Sequence, residues 1–247
     1  MKIIKNILGA LWALWVLIAF IVTLILFLIP FLLFCYFLPD PQRTKRMIVF
    51  SRVWMAVLLP MIGCPLTVKG RENFAPGQEY VVVCNHNSFL DIFIATPAIP
   101  GANKTIAKIE LSRIPVFGLV YKAGSVLVDR KSDASRKESM RKMKETLDSG
   151  LHMCIYPEGT RNKTKEPLKS FQSGAFRLAI DTGKPIIPAV IFNTRKALPA
   201  DKTFYARPHP LAMHFLPPVK ALENETAASL QHRVFEIMRD YYTKHQP

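Results

Sequence analysis

Tyr80-Val81-Val82-Val83-Cys84 runs directly into Asn85-His86-Asn87-Ser88-Phe89-Leu90-Asp91. The first five residues are apolar and rich in β-branched side chains, the composition of a buried strand. The next seven begin polar and include a serine able to cap a helix. A strand that ends in a polar turn and opens a helix is the repeating joint of an α/β layer fold. A similar joint recurs where Met153-Cys154-Ile155 meets Tyr156-Pro157-Glu158-Gly159-Thr160-Arg161.

Outward from these joints, apolar runs at 66–69, 80–84, 104–107, 125–128, 152–156, 185–192 and 211–216 read as strands. Helical spacing lies near 88–95, 116–123, 136–148, 174–182 and 227–242. The helix after Ser173 is well punctuated: a serine before it, Gly183 after it, then Pro185. In the last helix Leu230, Val234, Ile237, Met238 and Tyr241 form one stripe, read as core packing. Strands alternating with helices predict an α/β fold with a central mixed sheet flanked by helices. These patterns do not encode strand order.

Upstream, 7–38 contains no charged residue. A bilayer crossing takes about 20 apolar residues, so this run exceeds one upright helix. Pro30 can break it and Pro39 is placed to end it, because proline lacks a backbone donor. The run is too long for a signal-peptide core, and no small-residue cleavage pattern follows it. A weaker apolar stretch, 47–62, is interrupted by Ser51 and Arg52. Lys2 and Lys5 precede the first run, and Arg43, Lys45 and Arg46 follow it. Positive charge at both ends fits a helical hairpin that enters one leaflet and returns. A single tilted span followed by an interfacial helix is the alternative. The chain is thus expected to divide into a membrane anchor, 1–62, and an α/β domain, 63–247.

The formal charge is +15. Lys131, Arg136, Lys137, Arg141, Lys142 and Lys144 are its densest stretch, with Met140, Met143 and Leu147 at helical spacing. That is an amphipathic helix with a solvated face. Beside a membrane the same face attracts anionic headgroups, at about 1 kcal/mol per nearby cation. Nucleic acid is not expected as a partner: there is no zinc spacing, recognition-helix pattern or interleaved aromatic–basic motif. Cys35, Cys64, Cys84 and Cys154 each sit in or beside an apolar run, and none forms a C-x-x-C pair. They read as reduced, buried thiols in a domain on the cytoplasmic side.

A histidine followed five residues later by an aspartate is weak by itself, and fits a polar turn as well as a catalytic pair. Position strengthens it, because ligands of α/β folds gather at strand ends. There His86 can take a proton from an attacking hydroxyl, and Asp91 can fix its tautomer and stabilise the imidazolium. In the second joint, Gly159 permits close backbone approach and Arg161 offers a planar fork for phosphate oxygens. Thr160 adds a hydroxyl, and Glu158 can orient Arg161 or bond a substrate hydroxyl. Lys108 and Arg130, each at the end of a strand candidate, would complete three cations with Arg161. Each of these charges can equally be a solvated flank of a buried strand.

Five blocks together are more specific. Residues 85–91 resemble the N-H-x-S-x-x-D block of the lysophosphatidic acid acyltransferase family. Residues 108–118 with 124–130 are similar to its second block. Tyr156 to Arg161 resembles its F-P-E-G-T-R block, with tyrosine for phenylalanine. Phe171-Gln172-Ser173-Gly174-Ala175-Phe176 resembles F-x-x-G-A-F, and Pro185-Ile186-Ile187-Pro188 resembles the last block. They occur in the family's order over about residues 80–192, and the amino-terminal segment looks like the family's two-helix membrane motif.

The resemblance implies a membrane-bound enzyme of phospholipid biosynthesis. It would move a fatty acyl group to the sn-2 hydroxyl of 1-acylglycerol 3-phosphate, giving phosphatidic acid. His86 would be the general base, oriented by Asp91. Arg130, Glu158, Gly159, Thr160 and Arg161 would hold the acceptor phosphate, with Lys108 a further candidate. The Pro185 block would line the acyl or donor site or simply complete the core. The co-substrate would be acyl-coenzyme A or acyl carrier protein, with no cofactor and no metal. The partners would be the bilayer and a lysophospholipid, at the cytoplasmic face of a membrane, the inner one if the source is bacterial. Another lysophospholipid or a lyso-aminolipid is the alternative acceptor, and a non-catalytic lipid-binding role is the remote alternative.

Overall fold

The computed structural model describes residues 2–115, 117–129 and 131–246. The amino-terminal run is a helix, α1 (Lys2–Phe31), continued by a π-helical turn over Leu32–Tyr36. Pro30 does not break it; the helix widens just beyond, as helices do around a lost backbone bond. A second helix, α2 (Gln42–Met61), returns alongside. Trp12 and Trp15 donate to the carbonyls of Ile62 and Met61, Trp54 donates to Thr23 at 2.9 Å, and Phe31 and Cys35 cluster with Met47 and Ile48. The two helices are therefore antiparallel, and α1 lies against the rest of the protein along its length. Further toward its start, the Ala206 amide donates to the Gly9 carbonyl. Its other side is a continuous apolar face that includes Ile7, Leu11, Leu14, Ile18, Ile21 and Ile25, all exposed.

Among the described residues, seven strands make one sheet: β1 (Leu66–Lys69), β2 (Val81–Cys84), β3 (Asn103–Lys108), β4 (Ser125–Val128), β5 (His152–Ile155), β6 (Ile186–Phe192) and β7 (Leu211–Phe215). All seven expected strands are found, with no end shifted by more than one residue. The spatial order is β1-β7-β6-β2-β5-β3-β4. Strands β2 to β6 run parallel, β7 is antiparallel to β6, and β1 is parallel to β7. The carboxyl ends of β2 to β6 therefore share one edge of the sheet.

Side-chain alternation sorts the core onto two faces. Val82, Cys84, Cys154, Ile187 and Ile191 pack toward α2 and α3 (Leu90–Ala98), with α1 outside them. Val81, Val83, Met153, Ile155 and Val190 face the other way. There they meet α5 (Asp133–Asp148), α6 (Gly174–Thr182) and α8 (Ala227–His245). Two short helices, α4 (Phe117–Ala123) and α7 (Thr194–Ala197), complete the set; α7 was not expected. Arg52, which interrupts the apolar pattern of α2, donates to the carbonyls of Pro97, Ile99 and Gly101. It thereby satisfies the Pro97 carbonyl in the last turn of α3 and two carbonyls of the turn that follows.

Helix α5 begins three residues before its predicted start, because the Ser132 hydroxyl accepts from the Ser135 amide. Its cations are mostly paired: Arg136 with Asp133, Arg141 with Glu138 and Glu145, Lys144 with Asp181. Met143 and Leu147 are buried, so this is the solvated amphipathic helix that the spacing implied. In α8 the buried stripe is Leu230, Val234, Met238 and Tyr242. Ile237 is exposed and Tyr241 half-buried, because a strict four-residue step carries the buried line past them. All four cysteines are buried and free.

Candidate active site

The joint after β2 forms a tight knot around Asp91. This carboxylate is fully buried in the first turn of α3. Its Oδ2 accepts from the Asn87 amide at 2.6 Å, the Ser88 amide at 2.7 Å and His86 Nδ1 at 2.8 Å. Amide donors at a helix start favour a negative charge there. Facing a carboxylate, Nδ1 carries the imidazole proton, which leaves Nε2 as the ring's acceptor. The expected serine cap is only part of the device: Ser88 Oγ accepts from the Leu90 amide and donates to the Leu198 carbonyl at 2.7 Å. Asn85 is fully buried and bridges β2 to β6, donating to the Ile191 carbonyl and accepting from the Ile191 amide.

The turn after β5 clamps the same histidine from the other side. Glu158 Oε1 accepts from the His86 amide at 2.7 Å, and Oε2 accepts from the Lys169 amide at 3.1 Å. The Asn162 amide donates to the His86 carbonyl at 2.6 Å. The Tyr156 ring lies 4.6 Å from the imidazole, centroid to centroid. The backbone of residue 86 is thus held at both its polar groups. Its side chain keeps 14% of its surface open while that of Asp91 keeps none. Burial pushes the Glu158 carboxyl up to about 7, against the pull of the His86 and Lys169 amides.

Gly159 has φ 73°, a left-handed conformation suited to glycine. Arg161 is exposed and, among the described residues, faces no acidic group within ion-pair distance. Thr160 Oγ1 accepts from Lys169 Nζ at 2.9 Å. Lys108 is exposed at the end of β3. Arg130 lies outside the described residues. Glu158 does not bond Arg161; both its oxygens hold backbone amides. Lys169 and Asn162 were missed by sequence reasoning. Nothing marks them locally, since each becomes part of the site only when the loop after β5 folds back. The Pro185 block is the start of the central strand β6, buried throughout, so it completes the core. Among the described residues no three His, Cys, Asp or Glu side chains gather as metal ligands.

An apolar cavity of about 120 Å³ adjoins the motif, lined by Phe27, Trp54, Phe89, Phe93, Phe117 and Tyr121. The imidazole–carboxylate pair thus sits at the carboxyl edge of the parallel strands, beside this apolar cavity.

Residues 65–192 match the family model described as Acyltransferase. The chain is 31% identical over 213 residues to the 1-acyl-sn-glycerol-3-phosphate acyltransferase of Cocos nucifera, covering 85% of this chain and 67% of that protein. It is 32% identical over 192 residues to the alpha form from Mus musculus, covering 74% and 67%. The crystal structure of the 1-acyl-sn-glycerophosphate acyltransferase PlsC from Thermotoga maritima superposes with a TM-score of 0.79. That match has 23% identity over 99% of this chain and 97% of that one, a likeness of fold. The chain belongs to the acyltransferase family and is an acyltransferase. The likeness to the lysophosphatidic acid acyltransferases, read from five sequence blocks, holds over the whole matched region.

Proposed function

We propose that the protein acylates the sn-2 hydroxyl of 1-acylglycerol 3-phosphate, using a thioester donor and producing phosphatidic acid. The observation that carries this is His86 Nδ1 bound at 2.8 Å to the buried Asp91. The hydroxyl oxygen attacks the thioester carbonyl carbon while its proton moves to Nε2 of His86. The tetrahedral intermediate collapses, the C–S bond breaks, and the proton on Nε2 passes to the departing sulfur. Asp91 stabilises the imidazolium between the two transfers. Arg161, Lys108, Arg130, Thr160 and the Gly159 turn hold the acceptor phosphate, and Glu158 braces the turn against His86. The apolar cavity takes an acyl chain. Purified protein given lysophosphatidic acid and a thioester should release phosphatidic acid. Transfer solely to a lysophospholipid with a larger headgroup or to a lyso-aminolipid would change the acceptor, and no transfer to any of them would favour a lipid-binding role.

We place the chain on a membrane through the apolar face of α1, with residues 1–62 as anchor and 63–247 as catalytic domain. The segment Ile3–Tyr36 is long and apolar enough to cross a membrane. Docking along its whole length supports the in-plane hairpin over an upright span, and the positive flanks support the cytoplasmic face.

Glu158 gives this site a pH signature. Its carboxyl sits at about 7 in the folded protein against an ordinary 4.5. The folded state therefore keeps a proton that the unfolded chain releases between those values. Stability from this group is present below pH 4.5 and lost as pH rises through 7. Glu158→Gln should consequently gain on wild type between pH 4.5 and 8, by up to about 3 kcal/mol. Thermal unfolding of both proteins across that range tests it; parallel curves would refute it.

A further inference from the structure

A cationic cleft lies at the carboxyl end of β6, the strand paired with β2. It is a cavity of about 390 Å³ beyond the end of β6, bounded by the 193–207 loop and by Tyr242 and Gln246 of α8. Among the described residues Arg195, Lys202 and Arg207 line it, with Lys196 and one carboxylate, Asp201, beside them. Arg195 donates to the carbonyls of Lys163 and Thr164, and Arg207 Nε donates to that of Lys196 at 2.6 Å. Those carbonyls aim the guanidinium groups without cancelling their charge. Among the described residues, Arg195, Lys202 and Arg207 have no acidic partner within ion-pair distance. Lys202 Nζ stands 3.8 Å above the Tyr205 ring, and the floor carries the stacked rings of Phe192 and Tyr242.

The cleft is joined to the catalytic knot. Ser88 Oγ donates to the Leu198 carbonyl, and Asn85 bridges to Ile191, one residue before Phe192. The sheet order puts β6 on one side of β2 and β5 and β3 on the other. Lys108, at the end of β3, lies two strands from β2 on the opposite side, whereas the loop that carries Arg161 reaches the cleft through Arg195. Acyl transfer brings two substrates to His86, and this cleft offers the donor a cationic and aromatic surface beside the catalytic knot. Cations spaced around a cavity with aromatic surfaces suit a molecule with several phosphates and a purine. A cavity of this volume is of small-ligand size, whereas an acidic carrier protein docks on a broad surface.

We propose that this cleft binds the nucleotide end of the acyl donor, making the donor a coenzyme A thioester. The assignment rests on the acyl-transfer reading above. It is tested on the full-length protein in detergent by titrating free coenzyme A calorimetrically into wild type, Lys202→Glu and Lys202→Glu/Arg207→Gln. Lys202 is exposed, so the single variant keeps the fold if the double does not. The expected result is coenzyme A binding weakened at least tenfold. KM for the acyl-coenzyme A should rise by the same factor, with kcat and the acceptor KM unchanged. Unaltered coenzyme A binding overturns the proposal. So does loss of binding to anionic but not neutral vesicles at unchanged coenzyme A affinity, which would make the cleft a lipid-headgroup site. Turnover with a carrier-protein thioester alone overturns it too. Lys202-dependent coenzyme A binding without acylation of any acceptor would uphold the cleft and sink the reaction.

Discussion

Alanine at position 86 should lower acyl transfer by about 10³-fold while the protein stays folded. A positioned general base contributes roughly 10²–10⁴, and the Nδ1 bond to Asp91 fits His86 for that role. The fold should survive because the anchoring bonds at this residue are made by its backbone. The amide reaches Glu158 Oε1 and the carbonyl receives the Asn162 amide, and neither needs the imidazole. The lost packing is mainly the contact with the Tyr156 ring. The thermal midpoint should therefore move by only a few degrees, and KM for both substrates by less than threefold. Turnover within tenfold of wild type, in a protein with unchanged unfolding, would remove His86 from the chemistry.

Asp91→Asn should have an effect of similar size, about 10²–10⁴ in kcat, by a different route. The amide oxygen can still accept from the Asn87 and Ser88 amides, so the entry to α3 is preserved. Its nitrogen can take the place of Oδ1, which has no hydrogen-bond partner. What changes is the charge: the amide oxygen can still face Nδ1, but a neutral group no longer stabilises the imidazolium. Asp91→Ala should differ in kind. It strips three donors of their buried acceptor, at roughly 1–3 kcal/mol for each group left unsatisfied, so it should unfold well below wild type. Comparing kcat with the thermal midpoint in both variants separates the two roles. An asparagine variant with near-normal turnover would leave Asp91 a structural cap.

The strands were legible because the interior imposes apolar runs on them, and the central ones, β2 and β6, are buried on both faces. Their order was not. Cys84 pairs with Ala189, and Val82 with Cys154, across long separations that no local pattern encodes. In the site, His86, Asp91 and the Glu158 turn were visible because they sit together in short motifs. The work of Glu158 was not visible. A glutamate beside an arginine suggests an ion pair, but the fold buries it between the His86 and Lys169 amides. The basic residues at 195, 196, 202 and 207 are scattered in sequence, and a short unforeseen helix, α7, gathers them.

The docking of α1 along the catalytic body has a kinetic consequence. Seated on a lipid surface as proposed, the enzyme would draw its acceptor from that surface and not from bulk water. The acceptor would arrive by lateral diffusion, and its relevant concentration would be its mole fraction among the surrounding lipids. Diluting that surface with inert phospholipid should therefore slow the enzyme, even where the total amount of acceptor in the tube is unchanged.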